Sequence, residues 1–291
     1  MPLRTLLLVC VPALLSAASP FAWREAPNGR HELTENGKAV LTYNAGIQTH
    51  PAAPPDRARC CYIFPAYTPA GVNPLDDFPA DHWHHRGLHW AWSFVEIHGQ
   101  RYDNWMFRNL RHKTDSAIET SANEGAATLR AANLWVDNDG HAYVREHITL
   151  TAYPAQGSAR ELAFELTMEA LDVPVILRGD PVKGKSYGGF NARFAPRTGT
   201  VIRTNQGVLA KDDDLTHYEW AEMEAAYEGR RAVLRITADP ANTHFPHQWV
   251  LRHYGYAGAS FPGRTATVDG YTLEKGKPVT LRFRVRLADL E

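Results

Sequence analysis

The chain has 291 residues, 44% of them hydrophobic, with 31 Lys and Arg against 32 Asp and Glu and a formal net charge of −1. That length supports one large domain or two small ones with a substantial core. The balanced charge, with no basic stripe or lysine block, argues against nucleic acid as a partner, and three cysteines are too few for a disulfide framework.

The N-terminus begins with a basic residue at Arg4, continues through a short apolar run from Thr5 to Leu15 and ends in the small residues Ser16 to Ser19. This is the pattern of a secretory signal peptide over residues 1–19, too short to serve as a spanning helix. Cys10 follows Val9 rather than a small residue, which does not fit a lipoprotein anchor. The expected mature chain is therefore residues 20–291, periplasmic or secreted, with no integral membrane segment after the signal. Only Cys60 and Cys61 remain in it. Adjacent cysteines pair only in a strained ring, so two buried, reduced thiols are expected.

From Phe21 onward, short extended segments alternate with turns at Asn28-Gly29 and Asn36-Gly37, where asparagine and glycine accept the positive φ of tight hairpins. Residues 51–59 carry three prolines and read as a loop; Tyr62–Tyr67 and Trp92–Ile97 read as strands. Asn138-Asp139-Gly140 marks another hairpin. In 161–171, Leu162, Phe164, Leu166 and Met168 alternate with Glu161, Glu165, Thr167 and Glu169, the pattern of a sheet with one wet face. Residues 147–151, 232–237 and 279–287 repeat it, so Arg282, Arg284 and Arg286 lie on a solvated strand face. Only 212–228 could hold much helix, and its aromatic residues leave that open. Many short strands without strand–helix alternation predict an all-β fold, a large single-domain β-sandwich.

The segment from Asp76 to Trp92 holds four of the fourteen histidines, three of the eight tryptophans, Arg86 and three aspartates. Imidazoles bind metals or move protons near neutral pH, and arginine clamps oxyanions in a fork. If the run is extended, His82 and His84 project to one face and His85 to the other. A divalent metal ion could then take His82, His84 or His85 as ligands; the plain alternative is a set of histidines hydrogen-bonded to Asp76, Asp77 and Asp81. A second polar and aromatic concentration, Tyr102 to Trp105 with Arg111 and His112, stands ready to join the site. Further on, Tyr187-Gly188-Gly189 before Arg193 offers close backbone approach to a ligand or a mere bulge. Asp239 to Trp249 leads into Arg252-His253-Tyr254-Gly255.

Taken together, Asp81-His82-x-His84-His85-Arg86-Gly87, Tyr187-Gly188-Gly189-Phe190 with Arg193, and Asp239-Pro240-x-Asn242 leading to Pro246-x-x-Trp249-x-x-Arg252-x-Tyr254-Gly255 resemble bacterial exported proteins labelled PmoA-like, or methane oxygenase. Trp83 stands where that pattern has proline. The oxygenase label does not suit this chain, because no apolar run downstream of the signal reaches spanning length. The resemblance instead implies a supersandwich akin to galactose mutarotase and a role in carbohydrate breakdown, with a small-molecule carbohydrate as partner.

The expected chemistry is cleavage of an oxidised, 3-keto glycoside. A C3 carbonyl acidifies the C2 hydrogen, and the glycosidic oxygen leaves by elimination before water adds back. That takes a base, an enolate stabiliser and an acid. His82, His84 and His85, alone or through a metal, are expected as base and stabiliser. Arg86 and Arg193 would hold the enolate or ring hydroxyls, and Tyr187 or His247 would donate the proton. Trp249, Trp90 or Trp105 would stack on the sugar, with Asp81, Arg111, His112, Asn242 and Arg252 as further binding groups. A mutarotase or epimerase, and a non-catalytic sugar-binding protein, are the alternatives; a wealth of titratable groups favours an enzyme. No oligomeric state is legible.

Overall fold

Strict alternation along Ala159–Ala170 and Val279–Asp289 pairs the two strands over ten positions, Leu162 against Val285, Phe164 against Phe283 and Leu166 against Leu281. Such an alternation gives a sheet one apolar face that must be covered, and the rest of the fold covers it. The computed structural model of the protein describes residues 19–180, 185–264 and 270–291. The expected export segment 1–19 lies, apart from Ser19, outside them. Among the described residues the strands form three sheets, and every ladder between them is antiparallel.

The first sheet has nine strands in the order Phe21–Ala26, Arg30–Glu35, Lys38–Asn44, Tyr62–Ala66, Leu88–Trp92, Gly188–Arg193, Tyr256–Ser260, His247–Arg252 and His217–Tyr218. The second, of ten strands, is built around Arg230–Ala238, Val279–Asp289, Ala159–Ala170, Ala142–Ala152 and Ala127–Val136. A small sheet of four strands joins Val175–Arg178 to Phe94–Ile97. One apolar cluster fills the space between the two large sheets. Trp92 meets Trp135 at 5.0 Å between ring centroids, and Phe190 lies 4.7 Å from Phe283 and 5.0 Å from Phe164. Each such buried side chain contributes roughly 1.5–3 kcal/mol. The expected all-β sandwich is the observed architecture.

Three local expectations are corrected. Residues 212–228 hold no helix: His217–Tyr218 and Trp220–Tyr227 are strands. Ala221, Met223, Ala225 and Tyr227 are buried, while Glu222 and Glu224 bind Arg235, Arg203 and Arg231 outside, a period of two that outweighs helix propensity. The expected strand 92–97 is two, Leu88–Trp92 and Phe94–Ile97, because the chain passes there from the first sheet into the small one. Gly188 and Gly189 serve packing rather than a ligand. At φ +140° and +137°, a Cβ on the first would meet Trp92 Cδ1 at 2.6 Å and on the second the Ala259 carbonyl oxygen at 2.1 Å.

Cys60 and Cys61 are buried and free, their sulfurs 3.1 Å apart. They border a buried polar cluster between the sheets. Glu146, fully buried, accepts hydrogen bonds from Trp90 Nε1 at 2.8 Å, Asn133 Nδ2 at 2.8 Å and Trp135 Nε1 at 2.7 Å. Burial pushes the Glu146 carboxyl up, but His112 beside it and the indole donors outweigh burial and hold it below its ordinary value.

Candidate active site

Side chains alternate along a strand, so a one-residue difference decides which face of the first sheet a group reaches. Trp90, Trp92, His247 and Trp249 fall on the inner face and His89, Asn191, Arg193, Gln248, Arg252 and Tyr256 on the outer one. The register sets two rows across the outer face: Arg193 opposite Tyr256 opposite Arg252, and His89 opposite Asn191 opposite Gly258. Gly258 is required there, since a Cβ would stand 2.5 Å from both Asn191 Oδ1 and Tyr256 Oη. With no side chain in the way, Tyr256 donates to Asn191 Oδ1 at 2.5 Å.

The histidine segment is not extended. It folds as successive turns, with His82 N donating to the Pro79 carbonyl at 2.9 Å and His85 N to that of His82 at 2.8 Å. Arg86 sets this shape. Its guanidinium is buried at 0% exposure, with Nη1 donating to the carbonyls of Trp83 (3.0 Å) and His85 (2.6 Å) and Nη2 to that of Arg57; Phe78 lies 3.4 Å beneath it. Expected at an oxyanion, Arg86 is instead the tie that forms the loop, because both Nη groups donate to backbone and Nε faces Asp77 at 3.4 Å.

The turns bring all three histidines together rather than on opposite faces. His85 stacks on His82 at 4.7 Å with planes 7° apart and meets His84 edge-on at 4.4 Å. Below them Trp105, buried, lies 5.7 Å from both His85 and Tyr256 and 5.4 Å from Tyr187. On the rim, Tyr254 stacks on His82 at 5.1 Å. Burial pushes His84 down to about 3, reinforced by His82 and by Arg57, Arg59 and Arg86; His85 and His89 are pushed well below the ordinary imidazole value, first by burial and then by neighbouring histidines and arginines. All three are neutral near pH 7.

Two charged clusters flank the rings. Arg193 Nη2 donates to both Asp81 oxygens at 2.7 and 2.8 Å, while its buried Nε and Nη1 make no hydrogen bond. His82 Nδ1 stands 3.0 Å from Asp81 Oδ2, off the line of a hydrogen bond. Burial acts to raise the Asp81 carboxyl, but Arg193 and His82 outweigh it and hold it low. On the other flank, Arg252 Nη2 donates to Asp214 at 2.9 Å and reaches Tyr187 Oη at 3.5 Å, and Lys185 lies 3.3 Å from the same carboxylate.

Of the residues expected at the site, the structure therefore gathers His82, His84, His85, Asp81, Arg193, Tyr187, Trp105 and Arg252. Others it places elsewhere. Trp90 binds Glu146 between the sheets, and Trp249 donates to the Tyr218 carbonyl at 2.7 Å from the inner face. His112 lies in that same interior, 3.5 Å from Glu146. His247, 1% exposed, packs on Phe283, and Asn242 is taken up by the Arg282 backbone. Arg111 donates to the Asp56 carbonyl at 3.1 Å. Four residues of the site went unassigned in the sequence: His89, Asp214, Tyr254 and Tyr256. The tight turn Arg252–Gly255 inside an aromatic run was the signal for the two tyrosines.

For a metal, His82 and His85 do not fit as a pair of ligands in this conformation. A cation bound through an imidazole nitrogen lies near that ring's plane, and the stacked, near-parallel planes of His82 and His85 share no such point. Among the described residues no three His, Cys, Asp or Glu side chains are grouped as a metal set. A cavity of about 270 Å³ on the second sheet, lined by Thr149, Glu165, Arg282 and Arg284 among others, carries no histidine or tryptophan. Its Arg282 and Glu165 already pair at 2.8 Å, so the chemistry points to the outer face of the first sheet. Among the described residues no helix is long and apolar enough to cross a membrane.

A family model described as "Family of unknown function (DUF6807)" matches residues 30–291; the PmoA-like label is not part of that description. No curated protein matches the chain. Among solved structures, a GalM/aldose epimerase homologue from C. elegans is similar at 9% identity and a TM-score of 0.37, over 94% of this chain and 100% of that one. At that score the likeness carries no argument, and the architecture rests on the strands described above.

Proposed function

This chain belongs to the DUF6807 family, and from that premise we propose that it is an exported, carbohydrate-active enzyme that cleaves 3-keto glycosides by elimination and hydration. The observation that carries the reading is the meeting of His82, Asp81 and an Arg193 with two uncommitted buried N–H groups over an aromatic floor. Buried donors without partners are costly, and a developing enolate oxygen is the acceptor they suit.

His82, beside the Asp81 carboxylate, takes the C2 proton as general base. The electron pair moves onto the C3 oxygen, where Arg193 Nε and Nη1 stabilise the charge. As it returns, the C1–O bond breaks and the leaving oxygen takes a proton from Tyr187, whose phenol lies against Arg252. Water then adds to C1 and a proton returns to C2, so the net reaction is a redox-neutral hydrolysis. Tyr254, exposed at the rim, supplies a ring face for the sugar's C–H surface, with Trp105 and Tyr256 packed beneath it.

An NMR time course of the mature protein with a 3-keto disaccharide, against the unoxidised disaccharide and with and without chelator, tests this. Release of free sugar from the keto substrate alone, lost in His82→Ala and Arg193→Met, is the expected result. No release from either would refute it, and anomer exchange in the same spectra would move the assignment to a mutarotase.

A further inference from the structure

The outer face of the first sheet carries a second cleft, on the far side of the Trp83 turn from the histidines. Its floor comes from the same strand parity: Arg30 pairs with Asn44 and Asn44 with Tyr62 on the face opposite the core residues Tyr43 and Ile63. The cleft measures about 270 Å³, near the lower end of the roughly 300–1,000 Å³ usual for ligand pockets. That is room for one ring rather than a chain. We propose that this cleft is a second sugar subsite, taking a neighbouring ring of a glycoside whose oxidised ring lies over His82 and Arg193. The proposal rests on the glycoside reading above.

Three observations carry it. The first is the wall: the exposed His50 ring lies 5.8 Å from both Phe78 and Trp83. Trp83, half-buried, sits between His82 and His84 in the chain, so the turn that presents the histidines on one side supports this aromatic wall on the other. The second is the floor, where the side-chain oxygens of Asn44 and Gln48, whose amide nitrogens donate to backbone carbonyls, and the carboxylate Asp77 supply acceptors. Ring faces beside amides and a carboxylate match a pyranose, which is apolar on its C–H faces and polar at its edge. The third is an open acceptor. Asp77 Oδ2 receives the Tyr62 hydroxyl at 2.8 Å, but its buried Oδ1 makes no hydrogen bond, although Arg86 Nε stands 3.4 Å away. A sugar hydroxyl satisfies such an atom. Burial, working against Arg86 and Tyr62, pushes Asp77 up to about 6, so the carboxylate is an ionised acceptor at neutral pH.

The test follows the Trp83 indole and Gln48 amide in ¹H–¹⁵N spectra while an unoxidised glucose disaccharide or methyl glucoside is titrated in, with wild type, His50→Ala and His50→Phe. The disaccharide is expected to shift both signals and to bind about tenfold tighter than the methyl glucoside. His50→Ala brings that ratio toward one and His50→Phe, which keeps the ring, restores it. Equal affinity for the two ligands in wild type, or a ratio untouched by His50→Ala, overturns the proposal. Failure of the enzymatic reading shows separately, as no turnover of the keto substrate with the cleft shifts intact.

Discussion

Lowering the pH from 7 to 5 is expected to destabilise the fold through the histidine cluster. His84 has its proton affinity pushed down to about 3 in the folded chain, against about 6.5 when unfolded. The folded-state value is depressed, so the unfolded state takes up the proton first. Stability is full above pH 6.5 and is lost as pH falls from there toward 3. At pH 5 the unfolded chain holds nearly one proton on this residue and the folded chain almost none, a difference of about 1.5 pH units or ~2 kcal/mol. Burial and neighbouring charged groups also hold His85 and His89 well below the ordinary imidazole value, so both act in the same direction. Urea unfolding followed by tryptophan fluorescence at pH 7, 6 and 5 measures the loss. His84→Gln, which keeps a polar side chain without the titration, is expected to flatten the pH dependence by one proton, about 1.4 kcal/mol per pH unit. An identical slope in wild type and variant would refute the assignment of the neutral imidazole.

Trp90→Phe removes the indole that donates to Glu146 and is expected to cost about 1–3 kcal/mol with sugar affinity unchanged, whereas Trp105→Ala weakens affinity; calorimetric titration of both variants distinguishes floor from core. Arg86→Met leaves the Trp83, His85 and Arg57 carbonyls without their donor and should lower stability by about 3–5 kcal/mol, read as a shift in urea midpoint. Zinc titrated into the purified protein is expected to bind without stoichiometry at the stacked histidines, and a one-to-one isotherm that vanishes in His85→Ala would restore a metal centre. Cys60 and Cys61, at 2% and 0% exposure, should react with a thiol reagent only in denaturant; fast labelling of the native protein would show that the sheet opens there.

The sandwich was legible because period-two alternation is a direct statement about burial, whereas the pairing of 159–170 with 279–289 is a matter of topology that alternation leaves open. Composition alone marked the loop from Asp81 to Arg86. What stayed hidden was parity. Trp249 and Arg252 differ by three positions and so face opposite sides of one strand, yet a motif read as a string assigns both to the ligand. Arg86 shows a second limit: an arginine beside histidines reads as an anion clamp, and only the turn geometry reveals that both its Nη groups bind carbonyls. Asp214 was missed because its segment suggested helix, and Tyr256 because its role depends on Gly258 across the ladder.

The tie made by Arg86 also separates two jobs that many sites combine. Loop shape is held by one guanidinium beneath the surface, while His82, His84 and Tyr254 stand above it and bear none of that burden. Such a division lets the residues that meet a ligand be exchanged one at a time without unmaking the scaffold that presents them. For protein engineering, the rim is then open to a new substrate or a new reaction, provided Arg86 and the carbonyls it gathers are left in place.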